Sequence, residues 1–513
     1  MVVPHHPPEV APLIGWYVIT RMLKETVTAG VVTSSPTSSR SIHHYNPLPP
    51  LPQQQALNVL VDEQHNKPPS DSESDWVISI RDKLNQAFQD DVATTCANLC
   101  IYKVPHYLRE GDVSSYVPQI ASIGPYHHGK KWLMSMDLHK WRSLQQVLKR
   151  TKHDVTIYLN GLKEIEDRIR ACYEGPICFG SDEFVEMMLL DGCFILELFR
   201  GATEGFEKLG YAINDPIFSM RDSMHRIQRD LIMLENQLPL FVLDLLHGIQ
   251  LGQPEQKGLV PKLALNFLYP LTPTDEDLLT TGFLQPYDPT SYHNSLHCLE
   301  VFRRGLLPRG WMKRRSDSNG VADNGQHLRL IHCVTELKET GIKFKRRRTY
   351  LFWDVKFQNG NLLIPRLLIH DGTKSLFLNL IAFEQCHHDS SSDITSYVIF
   401  MDSLINSPED VAYLHYCGII EHSLGSDTAV ANLFNRLCQE VVFDMSKSYL
   451  STLSNEVNKY SDHRWNTWRA SLKHNYFSNP WVTISLFAAV FLLLLTFVKT
   501  FYTVYGYYIP RGR

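Results

Sequence analysis

Apolar positions recur at helical spacing along most of this chain, with one stretch of strand-like alternation and one unbroken apolar run near the C-terminus. In "DSMHRIQRDLIML", Met224, Ile227, Leu231 and Leu234 recur every three or four residues, which predicts one buried helix face. The segment "SDEFVEMMLLDGCFILELFR" (181–200) is apolar nearly all round and predicts a core helix. "DLIMLENQLPLFVLDLL" (230–246) reads as a second apolar helix, and Pro239 should kink or break it near Glu235, because proline clashes with the carbonyl four residues back. "NSPEDVAYLHYCG" has Ser407 as N-cap, Pro408 at the first helical position, acids in the first turn and Gly418 as the stop. "LGSDTAVANLFNRLCQEVV" repeats that grammar. Alternation appears in "TYLFWDVKF", where Leu351, Trp353, Val355 and Phe357 share one side of a strand. Asn359-Gly360 then predicts a tight turn, and "NLLIPRLLIHDG" the returning strand of a β-hairpin.

The run "WVTISLFAAVFLLLLTFV" (481–498) carries no charge over a length of about 27 Å, close to the hydrocarbon thickness of a bilayer. It predicts a transmembrane helix, with Trp481, Phe487, Phe491, Leu494 and Phe497 as membrane-facing anchors and tyrosines following at the interface. Residues 1–75 differ: "TSSPTSSR", "NPLPPLPQQQ" and "PPSDSESD" are rich in Pro and Ser and predict a disordered arm. Its apolar stretch "LIGWYVI" (13–19) is short, lacks a preceding basic region and makes a poor signal peptide. The expected organisation is therefore an arm over 1–75, a mainly helical domain over 76–475 with a hydrophilic loop at 313–327, a span over 481–498 and a short tail over 499–513. Basic residues flank the span on both sides, Lys459, Arg464, Arg469 and Lys473 before it and Lys499, Arg511 and Arg513 after it, so they scarcely bias its orientation. A span so near the end of the chain, with no leader, favours a cytosol-facing domain anchored by its tail.

A formal net charge of −4 over 513 residues leaves no electrostatic footprint for nucleic acid. Local basic runs at 303–315 and 343–348 read first as solvated surface and secondarily as contacts for anionic lipid or an acidic partner. Ten cysteines are too sparse for a disulfide framework, most lie in apolar runs, and no asparagine begins an N-x-[ST] acceptor. All three features fit a reducing compartment.

Candidate chemistry is thin. Glu186 and Glu197 fall within about 20° of each other on the 181–200 helix and form a polar stripe, while Asp191 lies about 140° away among Met187, Met188, Phe194 and Ile195. A carboxylate there must be paired, hydrogen-bonded or protonated. A partner for it is available in Glu235-Asn236-Gln237, so Asp191 and Glu235, assisted by His127, form the one candidate acid–base set. A structural polar network is the favoured alternative. The pairs His127-His128, His293/His297 and His387-His388 each lack the further ligands of a recognisable metal motif, and no metal or cofactor is expected. Around His127, Gly124-Pro125 forces a turn, Tyr126 and His127 can bury their rings, and Gly129 permits positive φ. The phosphate-loop, nucleophile-elbow, dinucleotide-fingerprint and C-x-x-C patterns are absent.

Several stretches closely resemble the plant family called domain of unknown function 247: "IYKVPHYLREGDVSSYVPQIASIGPYHHG" (101–129), "EMMLLDGCFILELFR" (186–200), "DLIMLENQLPLFVLDLL" (230–246), "TELKETGIKFK" (335–345), "LFLNLIAFEQC" (376–386) and "SYVIFMDSLINSPEDVAYLHYCGII" (396–420), together with the C-terminal run. The resemblance runs in order over about 95–505. It marks Pro118, Gly124, Pro125, Tyr126, His127, Gly129, Asp191, Gly192, Glu235, Asn236, Gln237, Pro239 and Glu384 as family-motif positions. It implies a plant membrane protein with a single C-terminal span and no established enzymatic activity, and, since some members are associated with pollen–stigma self-recognition in grasses, a recognition role. The expected protein is thus mainly α, a helical domain with a small antiparallel β-hairpin and one C-terminal transmembrane helix. Its expected partners are the lipid bilayer and another protein. An enzyme built on Asp191 and Glu235 is the alternative, and lipid-surface regulation through the basic runs is a third reading.

Overall fold

The computed structural model describes residues 75–95, 99–218, 220–252, 258–274, 296–307, 329–349, 351–462 and 480–508. The predicted arm up to residue 74, His293 and the 313–327 loop lie outside them. The chain divides into two units, Met1–Leu84 and Asn85–Arg513. Of the first, the described part is the opening of a helix, α1 (Asp75–Thr95), which exposes Trp76, Ile78 and Leu84.

The second unit is mainly α, as its periodicity requires. Its centre is a long helix, α2 (Ser181–Glu204), in which every residue from Met187 to Phe199 is buried. Helices α3 (Leu240–Leu251) and α4 (Leu259–Leu268) pack against it, as do two earlier helices over Asp137–Thr151 and Val155–Glu164. Gly192 sets the spacing to α3, because a Cβ there would lie 2.3 Å from Leu246 Cδ1. The Glu186/Glu197 stripe does not share one environment. Glu186 lies in an early turn and is exposed, whereas Glu197 is fully buried, bonded by Arg150 and by the Tyr211 hydroxyl at 3.0 Å.

A second helical group comprises α5 (Thr373–Cys386), α6 (Asp393–Leu404), α7 (Pro408–Tyr416) and α8 (Asp427–Leu437). The predicted caps are present: Ser407 and Asp410 close a reciprocal capping box, Pro408 occupies the first helical position, and Ser426 caps α8. Gly418, with φ of 68°, carries the chain out of α7.

Two sequence expectations shift. The helix through Ile227 ends at Asp230 instead of continuing through Leu234, and 231–239 is an irregular segment that stays buried throughout. The amide side chain of Gln237 takes the carbonyls of Leu231 and Met233, both at 2.7 Å, where a helix would have used backbone N–H groups. Of the kink or break expected near Glu235, the structure has the break: no helix runs through 231–239, and Pro239 immediately precedes a new helix at Leu240. The strand expected over "TYLFWDVKF" is short. It comprises Lys356–Gln358 (β2), since Phe352 and Trp353 are both buried in a preceding turn and cannot alternate faces. Trp353 donates its indole N–H to the Leu306 carbonyl at 2.8 Å, and Phe352 meets Phe377 and Tyr397 edge-on. The hairpin itself stands: Asn359 and Gly360 both take positive φ, and β2 pairs antiparallel with β3 (Asn361–Pro365).

The basic run 343–348 supplies a further strand, β1 (Lys343–Arg347), parallel to β3 at the sheet edge. Phe344 is buried while Lys343 and Lys345 face outward, the charge pattern that blunts an edge against aggregation. β4 (Leu367–Ile369) and β5 (Ile420–His422) form a separate parallel pair. Of the other basic run, Arg303 is buried and paired with Glu384 at 2.8 Å.

The last described element is a helix over Pro480–Tyr508, of which Phe487–Tyr505 is apolar and long enough to cross a membrane. Nineteen residues span about 28 Å. Phe487, Phe491, Leu494 and Phe497 are exposed along it. The side chain of Trp481 lies outside the described ones.

Replacing Ser407 with Ala removes one arm of the capping box and should lower unfolding free energy by about 1 kcal/mol. Chemical denaturation of the two proteins measures it, and equal midpoints would show the cap to be idle.

Candidate functional site

Residues 119–124 lie outside any helix or strand, enter from the surface at Gln119 and are buried from Ala121 to Gly124, so their N–H groups need acceptors from elsewhere. Buried side chains supply them. Asp230 accepts from the N–H groups of Gln119, Ile120 and Ala121 at 2.8–3.0 Å, Asn236 from Ile123 at 2.7 Å, and Asp191 from Gly124 at 2.8 Å. The same Asn236 amide returns donors to the carbonyls of Ala121 and Asp230. Lys140, itself buried, joins the arrangement by donating to the Ser122 carbonyl at 2.6 Å while lying 2.6 Å from Asp191 Oδ1. Burial pushes the Asp191 carboxyl above its ordinary value, with Lys140 and the Gly124 N–H pulling the other way. Asp191 is therefore held by Lys140, not by the Glu235 triplet.

Gly124 ends this segment with φ of 71°, and a Cβ there would lie 2.7 Å from the Gln237 carbonyl oxygen and 3.0 Å from the Tyr173 hydroxyl. Glycine is required twice over, by conformation and by space. Pro118 and Pro125 are buried at either end. The turn that follows presents Tyr126, whose hydroxyl lies 2.9 Å from the Glu174 carbonyl oxygen, and His127, which is buried.

His127 and Glu235, paired at the sequence level only as candidates, do meet. Nε2 of His127 lies 3.3 Å from Glu235 Oε2, within reach of its charge but off hydrogen-bond alignment. Its Nδ1 lies 2.5 Å from Lys130 Nζ, which places the ring proton on Nε2 facing the carboxylate when Lys130 donates. Glu235 also accepts from the Val104 N–H at 2.8 Å and from the Arg109 guanidinium. Burial alone would raise the Glu235 carboxyl, but the His127 ring, the Arg109 charge and the Val104 N–H outweigh it and hold it below its ordinary value. Burial lowers the Lys130 ammonium from its usual value against the attraction of Glu235.

These groups line an open pocket of about 390 Å³. The lining holds three cations, Lys103, Arg109 and Lys130, and one carboxylate, Glu235, a formal surplus of two positive charges beside walls that include Pro125, Tyr126, Ile177 and Phe179. Lys103 Nζ lies 5.4 Å from the Tyr126 ring centre. An apolar cleft with a few convergent charges suits an anionic ligand with an apolar body. Asp191 is not among the lining residues.

The remaining candidates serve the fold. His297 caps the helix Cys298–Leu306 through the Glu300 N–H, and its Nε2 lies 3.0 Å from the Cys100 carbonyl. Burial lowers it to about 3, so it stays neutral. His387 ends α5 with Nδ1 2.9 Å from the Tyr102 hydroxyl, and His388 is fully exposed. Glu384 accepts from the N–H groups of Ile394 and Thr395 and anchors the start of α6. The sequence reading overlooked Lys103, Arg109, Lys130 and Lys140. All but Lys140 flank or lie within the 101–129 motif, where a cluster of basic residues beside His127 was the available signal.

The chain matches the family described as plant protein of unknown function, DUF247, over residues 101–495, and it belongs to that family. UPF0481 protein At3g47200 of Arabidopsis thaliana is 32% identical over 428 residues, which cover 80% of this chain and 87% of that relative. A second UPF0481 protein of Arabidopsis thaliana is 23% identical over 517 residues, covering 85% and 95%. No solved structure matches the chain.

Two substitutions test this geometry. Gly124→Ala should cost roughly 1–3 kcal/mol from the positive φ alone, measured by denaturation; an unaltered midpoint would contradict the close approach to Gln237. Glu235→Gln should destabilise by about 1–3 kcal/mol at neutral pH. Because the folded-state carboxyl is held low, that advantage is complete above the ordinary carboxylate range near pH 4.3 and is lost as pH falls through the lowered value. Wild type and variant should therefore converge in acid, and a gap that widens there would refute the assignment.

Proposed function

We propose that this protein is anchored to a membrane by its C-terminal apolar helix, faces the cytosol, and recognises a protein partner through the pocket around His127. The observation that carries the reading is the surplus of positive charge in a part-apolar cleft whose floor is held by the buried hydrogen-bond network. Its occupant is an acidic side chain or carboxyl terminus of the partner, with the neighbouring residue against Phe179 and Tyr126. Pre-organised cations bind such a group without reordering, which lowers the cost of association. The apolar Phe487–Tyr505 stretch supports the anchor by length and composition.

An acid–base reading has its own support in the contact between His127 and Glu235, the arrangement in which a carboxylate orients an imidazole. In that reading Asp191 drops out of the chemistry, because its carboxylate is taken up by Lys140 and Gly124.

Proximity labelling from the full-length protein tests the recognition reading and the anchor together. Cytosolic neighbours should be labelled, and a defined subset should disappear in the Lys103→Glu/Lys130→Glu double variant while the protein stays in carbonate-resistant membranes. An unchanged neighbour set would defeat recognition through the pocket, and release by alkaline carbonate would defeat the anchor.

A further inference from the structure

Outside the pocket, among the described residues, one group of three metal-ligating side chains converges: His415, His422 and Asp427, whose donor atoms all lie within 4.8 Å of one another. They come from three consecutive elements, the last turn of α7, the end of β5 and the first residue of α8. We propose that they form a binding site for a divalent transition-metal ion, with zinc the best match to two imidazoles and one carboxylate.

The argument rests on the two nitrogens of His422. Nδ1 lies 3.1 Å from the Leu424 carbonyl oxygen, and Nε2 lies 2.9 Å from Asp427 Oδ1. A neutral imidazole carries one N–H, so either tautomer leaves a lone pair facing an oxygen lone pair. A positive charge on the ring or a cation at Nε2 removes the conflict. The first would be an imidazolium–carboxylate pair, and it gives His415 no part. Yet the His415 ring stands 5.5 Å from that of His422, centre to centre, at 75°. A second imidazole beside an imidazolium is at best idle, whereas beside a metal ion it is a third ligand. The Leu424 carbonyl then takes the role that ligating histidines usually require, accepting the proton of the other ring nitrogen and fixing the tautomer. Three protein ligands leave a fourth position for water or a ligand atom, and His415 is exposed, so an ion can enter. The spacing, seven residues and then five, follows no helical or zinc-finger rule, because a strand and two turns intervene.

The test is equilibrium dialysis of the full-length protein in detergent against zinc after chelator stripping, with bound metal counted by elemental analysis. One zinc per chain is expected, and His415→Ala and His422→Gln should each weaken it by more than about tenfold. His415→Ala is the discriminating variant, since it leaves the His422–Asp427 contact in place; zinc should raise the thermal midpoint of the wild type and not of this variant. Substituted cobalt should give d–d bands without a thiolate charge-transfer band. The proposal is overturned by absence of binding, by binding equally strong in both variants, or by a thiolate band that assigns the ion to cysteines.

Discussion

Irregular backbone inside a core must find hydrogen-bond partners, and two such stretches, 121–124 and 231–239, are buried in this protein. Each buried N–H left without a partner costs on the order of 1–3 kcal/mol. The protein answers with short polar side chains used as substitutes for a neighbouring strand. Asp230, Asn236 and Asp191 serve the first segment. For the second, the Gln237 amide takes two carbonyls, and Asn379 accepts from the Leu234 N–H at 2.9 Å. Asn236 faces both ways and joins them.

The pocket is a consequence of that network. With 119–124 held in place, Gly124 turns the chain at a point where only glycine fits, and the turn delivers His127 to Glu235. Glu235 lies in the second segment, so both halves of the contact depend on the same hydrogen bonds. Lys140 deepens the coupling: one buried ammonium pairs with Asp191 and caps the Ser122 carbonyl of the first segment. A buried charge pair of this kind contributes little net stability but is costly to break on one side, which ties these positions to one another more tightly than to solvent.

Much of this was legible in the residues and part was not. The capping box at Ser407, the Asn359-Gly360 turn and the burial of 187–199 follow from local rules that need no distant partner. The helix that stops at Asp230 did not, because Leu231 and Leu234 keep apolar spacing even where the backbone leaves the helix; periodicity reports burial, not dihedral angles. Phe352 and Trp353 misled for a related reason: adjacent residues can both be buried in a turn, and an alternating pattern then survives by coincidence. His127 and Glu235 were singled out, yet the cations completing their pocket were not, since a basic residue near a motif reads the same as a basic residue on any surface.

By itself the sequence determined what depends on neighbours close along the chain: a mainly helical body, the position of its caps and tight turns, the apolar stretch of the C-terminal helix, and the demand that Asp191 and Glu235 find partners. Tertiary structure decided which partners. Lys140 and Asp191 are 51 positions apart, Arg109 and Glu235 are 126 apart, and β1 joins β3 in parallel. Such pairings arise from the three-dimensional packing of whole elements, and no local propensity encodes them.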